Sequence, residues 1–275
     1  MAVTQNTTLV RLNRGQVALG LIVRLCTSPE IARLAKVCNH DFLFIDMQHG
    51  SMSIETAIAV CQGALAVHVT PLVRVPLEDA ANAVRALDNG ALGIIVPDVE
   101  TVEQARAAVD CLRMPPLGRR SVGSGYPQLG YAALATPEAN RLLNKHMLLA
   151  AMIESARGVE NAQEIAAVPG IDVLHVGSND LLATMDLSHE LGEERHMALC
   201  ARVLEACRAC GKHFGIGGVR TPELQSQFIR MGARMLTTHS DLAFLISAAK
   251  ERAERLRAVE AEAATARIDG PDAVG

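Results

Sequence analysis

The chain is short of several things, and each shortage removes a class of function. It has no cluster of Lys and Arg, and its formal net charge is −4, so it lacks the basic footprint on which binding to a phosphate backbone depends. No nucleic-acid partner is expected. No apolar run approaches the ~20 residues needed to span a bilayer, so no membrane partner is expected either. The seven cysteines are an odd set without the spacing of a disulfide framework, and no signal-peptide pattern opens the chain. We therefore expect reduced thiols and a cytoplasmic protein. Cys207-x-x-Cys210 has no second pair to complete a zinc site, and "LEACRACGK" reads as a helix end stopped by Gly211. What the chain does have is apolar material: 49% of its 275 residues are hydrophobic and only 20% are charged, enough for a sizeable core around a small-molecule site.

Strand-like and helix-like runs alternate along the chain. "VALGLIVRL" (17–25) is followed by Ser28-Pro29, which reads as an N-cap with proline at the first helical position, and a helix to about Cys38. "FLFID" leads to a helix starting at Ser53, "PLVRV" to a helix over about Glu78–Asp88, and "LGIIVP" to one begun by Thr101. After an irregular stretch, "PPLGRRSVGSGYPQLGY" (115–131), the pattern resumes with "MLLAAMIE", "DVLHVGSND", "HFGIGGV" and "ARMLTTHS", each followed by a helical run. Eight such units predict parallel strands with crossover helices, hence a single (β/α)8 barrel of the TIM type, with a doubly wound sheet as the rival. The barrel is expected over residues 1–256, followed by a helical and disordered tail over 257–275.

In such a barrel the chemistry lies at the C-terminal strand ends. Those ends carry Asp46, Gln48 and His49, then Arg74, Asp98, Glu154, Asn179 with Asp180, Gly217-Gly218 and His239-Ser240-Asp241. Each has a bland alternative: Asp180 could cap a helix, Asp46 could be a turn residue, Arg74 an ion-pair residue and His49 a loop histidine. Glu154 is harder to dismiss, because a charge at the end of "LLAAMI" should lie near the barrel axis, where it is costly without a partner. A cation would remove that cost. Glu154 and Asp180 as metal ligands make a hard, oxygen-rich site suited to Mg²⁺ or Mn²⁺, with open positions for water and a keto acid. Asp46 is expected to bond one ring nitrogen of His49, making the other a base.

These residues resemble the HpcH/HpaI family of metal-dependent (class II) aldolases in the phosphoenolpyruvate/pyruvate barrel superfamily. The resemblance spans roughly 15–250 and rests on "FIDMQHGSMS", "PLVRVP", "GALGIIVPDVETVEQARAAV", "PPLGRRSVG", "MIESARGVENAQEIAAVPGIDVLHVGSNDL" and "GARMLTTHSDLAFL". It implies reversible cleavage of a 4-hydroxy-2-oxo acid to pyruvate and an aldehyde through a metal-bound enolate, with Mg²⁺, Mn²⁺ or Co²⁺ as cofactor. By resemblance, Glu154 and Asp180 bind the metal, His49 is the base with Asp46 its partner, and Arg74 stabilises the enolate oxygen. Gly177, Ser178 and Asn179 form the turn that holds the pyruvate carboxylate.

Two positions depart from the pattern. Gln48, expected to touch substrate or metal-bound water, stands where many relatives have an acid, and His239 stands where they often have glycine, either narrowing the site or belonging to a neighbouring subunit's packing. Arg119 and Arg120 lie in the stretch 115–131, expected to be the specificity loop, and would meet an acidic aldehyde, a subunit interface or a plain surface salt-bridge partner. The family forms hexamers with exchanged C-terminal helices, and "DLAFLISAA" is apolar enough to take part. The alternatives are another enolate-forming lyase, such as one acting on an acyl-CoA ester, and a non-catalytic barrel that binds a keto acid.

Overall fold

The computed structural model describes residues 3–268. Eight parallel strands, β1 (Ala18–Val23), β2 (Phe42–Asp46), β3 (Thr70–Arg74), β4 (Gly93–Val96), β5 (Leu148–Ile153), β6 (Val173–Gly177), β7 (His213–Gly217) and β8 (Met235–Ser240), close into a barrel in sequence order, β8 pairing with β1. Their apolar runs follow from burial on both faces: every residue of β2, β3, β5 and β6 is buried. Outward-facing side chains pack against the helices in one large cluster. Inward-facing ones, among them Phe42, Phe44, Leu72, Leu148, Ala150 and Met152, form a second cluster that fills the barrel.

This inner cluster takes every second residue, the period of a strand. One further step along the same rows brings Asp46, Arg74 and Glu154 to the C-terminal mouth. The opposite mouth is closed by a helix absent from the sequence reading, Thr7–Asn13, whose Leu12 joins the inner cluster. Asn6 caps that helix and ties it to the barrel through a hydrogen bond from Nδ2 to the Leu92 carbonyl at 3.0 Å.

Several helix starts match their sequence cues. Ser53 and Thr221 accept hydrogen bonds from the backbone N–H groups of Thr56 and Leu224, and Thr101 forms a full capping box with Gln104. At Ser28 the cue holds in part: its Oγ accepts the Glu30 N–H at 3.3 Å, but Ser28-Pro29-Glu30 forms a turn and the helix itself runs from Ile31 to Val37. A single helix, Asp241–Ile268, crosses residue 257 without a break, so the division expected there is not marked by the backbone. The disorder expected at the end of the tail falls on residues 269–275, outside the described residues. No helix among the described residues is long and apolar enough to cross a membrane.

The stretch 115–131 is corrected most. It follows the helix Val102–Leu112 and precedes β5, so it packs at the N-terminal mouth, far from the strand ends that carry the polar residues. Gln128 Nε2 donates to the carbonyls of Leu87 and Ala91. Arg120 is buried, paired to Asp88 at 2.8 Å and set over the Tyr126 ring. Arg119 forms an exposed ion pair with Asp110. Neither arginine lines the candidate site.

Candidate active site

The C-terminal mouth opens into a cavity of about 190 Å³ whose wall includes Asp46, His49, Arg74, Glu154, Gly177, Ser178, Asn179 and Asp180. Seven strand ends therefore meet in one place, counting Arg24 after β1, Arg220 after β7 and His239 in β8.

Asp46 and Arg74 are its rigid part. The β2–β3 register sets them side by side, both pointing inward. Arg74 Nε and Nη2 donate to the two Asp46 carboxylate oxygens at 3.0 and 2.7 Å, the forked geometry that makes such pairs strong. Asp46 has no exposed surface. Burial alone would raise its pKa, but the hydrogen bonds and charge of Arg74, with the His49 backbone N–H, hold it below the ordinary carboxylate range. The expected bond from Asp46 to the His49 ring is not formed. The carboxylate accepts instead from the backbone N–H groups of Gln48 (3.1 Å) and His49 (3.2 Å), because its inward direction commits it to Arg74. Arg24 secures the same turn from the other side, donating to the His49 carbonyl at 3.0 Å. The His49 ring stands exposed on the cavity wall.

Glu154 is the electrostatic opposite. It is 4% exposed, and its Oε2 accepts the Asp98 backbone N–H at 3.1 Å. Gly177 is required beside it, since a Cβ there would collide with Glu154 Oε1. Burial pushes the Glu154 pKa up to about 7, the Asp98 N–H opposes this, the Asp98 and Asp180 carboxylates reinforce it, and Arg74 offsets part. A buried carboxylate between two others lacks positive charge, and its donors are all oxygen. That combination fits a hard divalent cation. No group of three or more His, Cys, Asp or Glu able to hold a metal occurs among the described residues, so Glu154 and Asp180 would be an open pair rather than a cage.

Gln48 stands beside Asp98, its Nε2 3.4 Å from Asp98 Oδ2 and its buried Oε1 without a partner; it is not part of the cavity wall. Ser178 Oγ is likewise buried and unpartnered, but on the wall. His239 lines the cavity, and its Nδ1 accepts the Ser240 N–H at 3.0 Å.

The sequence reading missed His175. This β6 side chain is 1% exposed, lines the cavity floor, and has no partner on either ring nitrogen. Burial, helped by the Arg74 charge, pushes its pKa down to about 3, so the ring is neutral. Its signal was a lone polar residue two positions before Gly177, on the inward row. Cys207 and Cys210 belong to no site: all seven cysteines are free, and the Cys207 thiol donates to the His213 carbonyl.

A family model described as HpcH/HpaI aldolase/citrate lyase matches residues 23–248. The 4-hydroxy-4-methyl-2-oxoglutarate aldolase of Hapsidospora irregularis is 34% identical over 264 residues, covering 94% of this chain and 98% of its own. A 4-hydroxy-2-oxovalerate aldolase of Novosphingobium aromaticivorans is 36% identical over 241 residues, covering 84% and 86%. Among solved structures, an HpcH/HpaI aldolase from Desulfitobacterium hafniense DCB-2 superposes with a TM-score of 0.86 at 25% identity, covering 90% of this chain and 96% of that one.

Proposed function

The chain belongs to the HpcH/HpaI aldolase/citrate lyase family, and from that premise we propose that it is a divalent-metal-dependent pyruvate aldolase. It cleaves a 4-hydroxy-2-oxo acid to pyruvate and an aldehyde and runs the reverse addition. The observation that carries this reading is Glu154, a buried carboxylate raised to about 7 beside two others and within the same cavity as an arginine locked by its own aspartate. Glu154 and Asp180 hold the cation, for which Mg²⁺, Mn²⁺ and Co²⁺ are candidates. When bound it supplies a Lewis acid for the keto oxygen.

The chain's own groups do the rest. Cleavage moves the C4 hydroxyl proton to a base, the C3–C4 bonding pair into a C2–C3 double bond, and negative charge onto the C2 oxygen; protonation at C3 then gives pyruvate. The His49 ring, unencumbered by Asp46, takes the hydroxyl proton. The Arg74 guanidinium, which Asp46 keeps from reorienting, meets the charge that develops on the C2 oxygen. The turn Gly177-Ser178-Asn179 binds the substrate carboxylate through its backbone N–H groups.

Two further readings go with this one. The chain acts as a homo-oligomer, a hexamer in which C-terminal helices are exchanged, supported by Leu242, Phe244, Leu245 and Ile246 facing solvent on that helix. It resides in the cytoplasm, where seven free thiols would stay reduced. The test of the activity is pyruvate release from 4-hydroxy-2-oxo acids, followed by coupling to lactate dehydrogenase. Release that stops with a chelator and returns with Mn²⁺ supports the reading; no release with any of the three metals overturns it.

A further inference from the structure

Two of the carboxylates at the mouth of the barrel are already engaged, Asp46 by Arg74 and Asp241 by the backbone N–H groups of Arg24, Leu25 and Cys26. Asp98, Glu154 and Asp180 follow β4, β5 and β6, whereas Arg220, His239 and Arg24 come from the ends of β7, β8 and β1. Because β8 closes onto β1, the three basic residues occupy one continuous arc. All three line the cavity.

Their engagements differ. Arg24 is committed to the His49 turn through the His49 carbonyl and through Asp46, 3.4 Å from its Nε. Arg220 has no hydrogen bond or ion pair among the described residues and stands exposed on the wall. His239 is its neighbour: burial, then the Arg220 charge, lowers the His239 pKa. The Ser240 N–H occupies His239 Nδ1, so the neutral ring keeps its proton on Nε2, a donor with no assigned acceptor. The edge of the Phe244 ring, with centroids 5.6 Å apart, fixes the imidazole plane.

A charge count points the same way. On the wall, Asp46 balances Arg74, and a divalent cation would balance Glu154 and Asp180. Because Arg24 and Arg74 share the single Asp46 charge, the wall keeps two positive charges in excess, and of its arginines Arg220 alone lacks an ion pair among the described residues. A keto acid brings one negative charge of its own, so a second anionic group on the substrate would restore neutrality.

We propose that Arg220, with His239 beside it, is a specificity arm that reads a carboxylate on the carbonyl partner, so that the compound released with pyruvate is an oxo acid rather than a neutral aldehyde. The inference rests on the aldolase reading above and adds the class of the second product. A fork of guanidinium donors with an imidazole N–H alongside suits a carboxylate better than a hydroxyl or methyl group.

The test compares two substrates that differ at C4 only, 4-hydroxy-2-oxoglutarate with a carboxylate and 4-hydroxy-2-oxopentanoate with a methyl group, using full-length protein and Mn²⁺. Wild type should favour the diacid in kcat/KM by about tenfold or more, the size of one charge-assisted hydrogen bond. Arg220→Gln should lower that ratio about tenfold through the KM of the diacid, and Arg220→Lys should retain part of it. A wild-type ratio near one, or a ratio that Arg220→Gln leaves intact, overturns the inference while the aldolase reading stands. Cleavage of neither substrate by wild type overturns the inference as well, and the aldolase reading falls with it only if Mg²⁺ and Co²⁺ and the wider set of 4-hydroxy-2-oxo acids also give no pyruvate.

Discussion

Removing the Arg74 side-chain charge should expose how much of the site's rigidity one pair supplies. In Arg74→Met the Asp46 carboxylate keeps no exposed surface and loses donors at 3.0 and 2.7 Å. It retains two backbone N–H groups and the half-exposed Arg24 at 3.4 Å. Breaking a buried pair from one side costs about 3–5 kcal/mol. The remaining donors place this case near about 3 kcal/mol, or roughly 6–12 °C in Tm for a chain of this size.

The pH dependence gives the sharper check. In wild type Asp46 titrates below its unfolded value, so its contribution is present above the ordinary carboxylate pKa and lost as pH falls through the lowered one. In Arg74→Met burial dominates, the folded pKa rises above the unfolded one, and the sign reverses. The penalty is then full at pH 7 and shrinks on acidification toward pH 4. The assay is urea unfolding followed by far-UV circular dichroism, since the chain has no Trp. Adding Asp46→Asn to Arg74→Met should recover about 1–2 kcal/mol at pH 7, because no buried charge then remains. A single-variant penalty below about 0.5 kcal/mol, the range of an ordinary surface change, or one that does not vary with pH, would refute the argument.

Four other variants probe the remaining parts of the site. Glu154→Gln and Asp180→Asn should each weaken Mn²⁺ binding by at least about tenfold and abolish turnover, measured by calorimetry and coupled pyruvate release; unchanged affinity in both would remove them as ligands. His49→Ala should slow carbon–carbon cleavage by about 10²–10⁴-fold, the usual worth of a general base, while Mn²⁺ affinity changes far less, so an equal loss in both would contradict its role. His175→Phe should gain stability relative to wild type as pH falls. With a folded pKa of about 3, wild-type stability is complete above about pH 6.5 and declines below it by about 1.4 kcal/mol per unit, or about 2 kcal/mol at pH 5. Parallel pH curves for the two proteins would rule that out.

The strands are legible because burial on both faces leaves uninterrupted apolar runs, and helix starts are legible where Ser53, Thr101 and Thr221 cap through their own side chains. Ser28 is legible in part, since its Oγ accepts the Glu30 N–H, whereas the loop before it was not legible: the backbone N–H groups of Arg24, Leu25 and Cys26 are held by Asp241, more than 200 residues away. Asp46 and His49, three apart, suggest a bonded pair in sequence, yet the β2–β3 register matches Asp46 with Arg74. His175 could have been found by carrying the two-residue alternation back from Gly177. The stretch 115–131 could have been placed by barrel logic alone, since a segment that leads from a helix into a strand lies at the N-terminal mouth. Arg220 follows Gly218 and Val219 in a loop with no periodicity to interpret, and only the closed barrel brings it beside His239.

The central claim is that Glu154 and Asp180, which would hold the cation, and Arg74, which meets the charge on the C2 oxygen, together make the methyl group of pyruvate acidic enough to give up its proton to solvent. Proton NMR of pyruvate in deuterated buffer tests it most directly, using the intact protein with Mg²⁺, Mn²⁺ or Co²⁺, a chelator control and Glu154→Gln alongside. The account predicts metal-dependent loss of the methyl signal with wild type and none with the variant or the chelator. A methyl signal that persists with all three metals, in a folded protein that binds the ion, would contradict it.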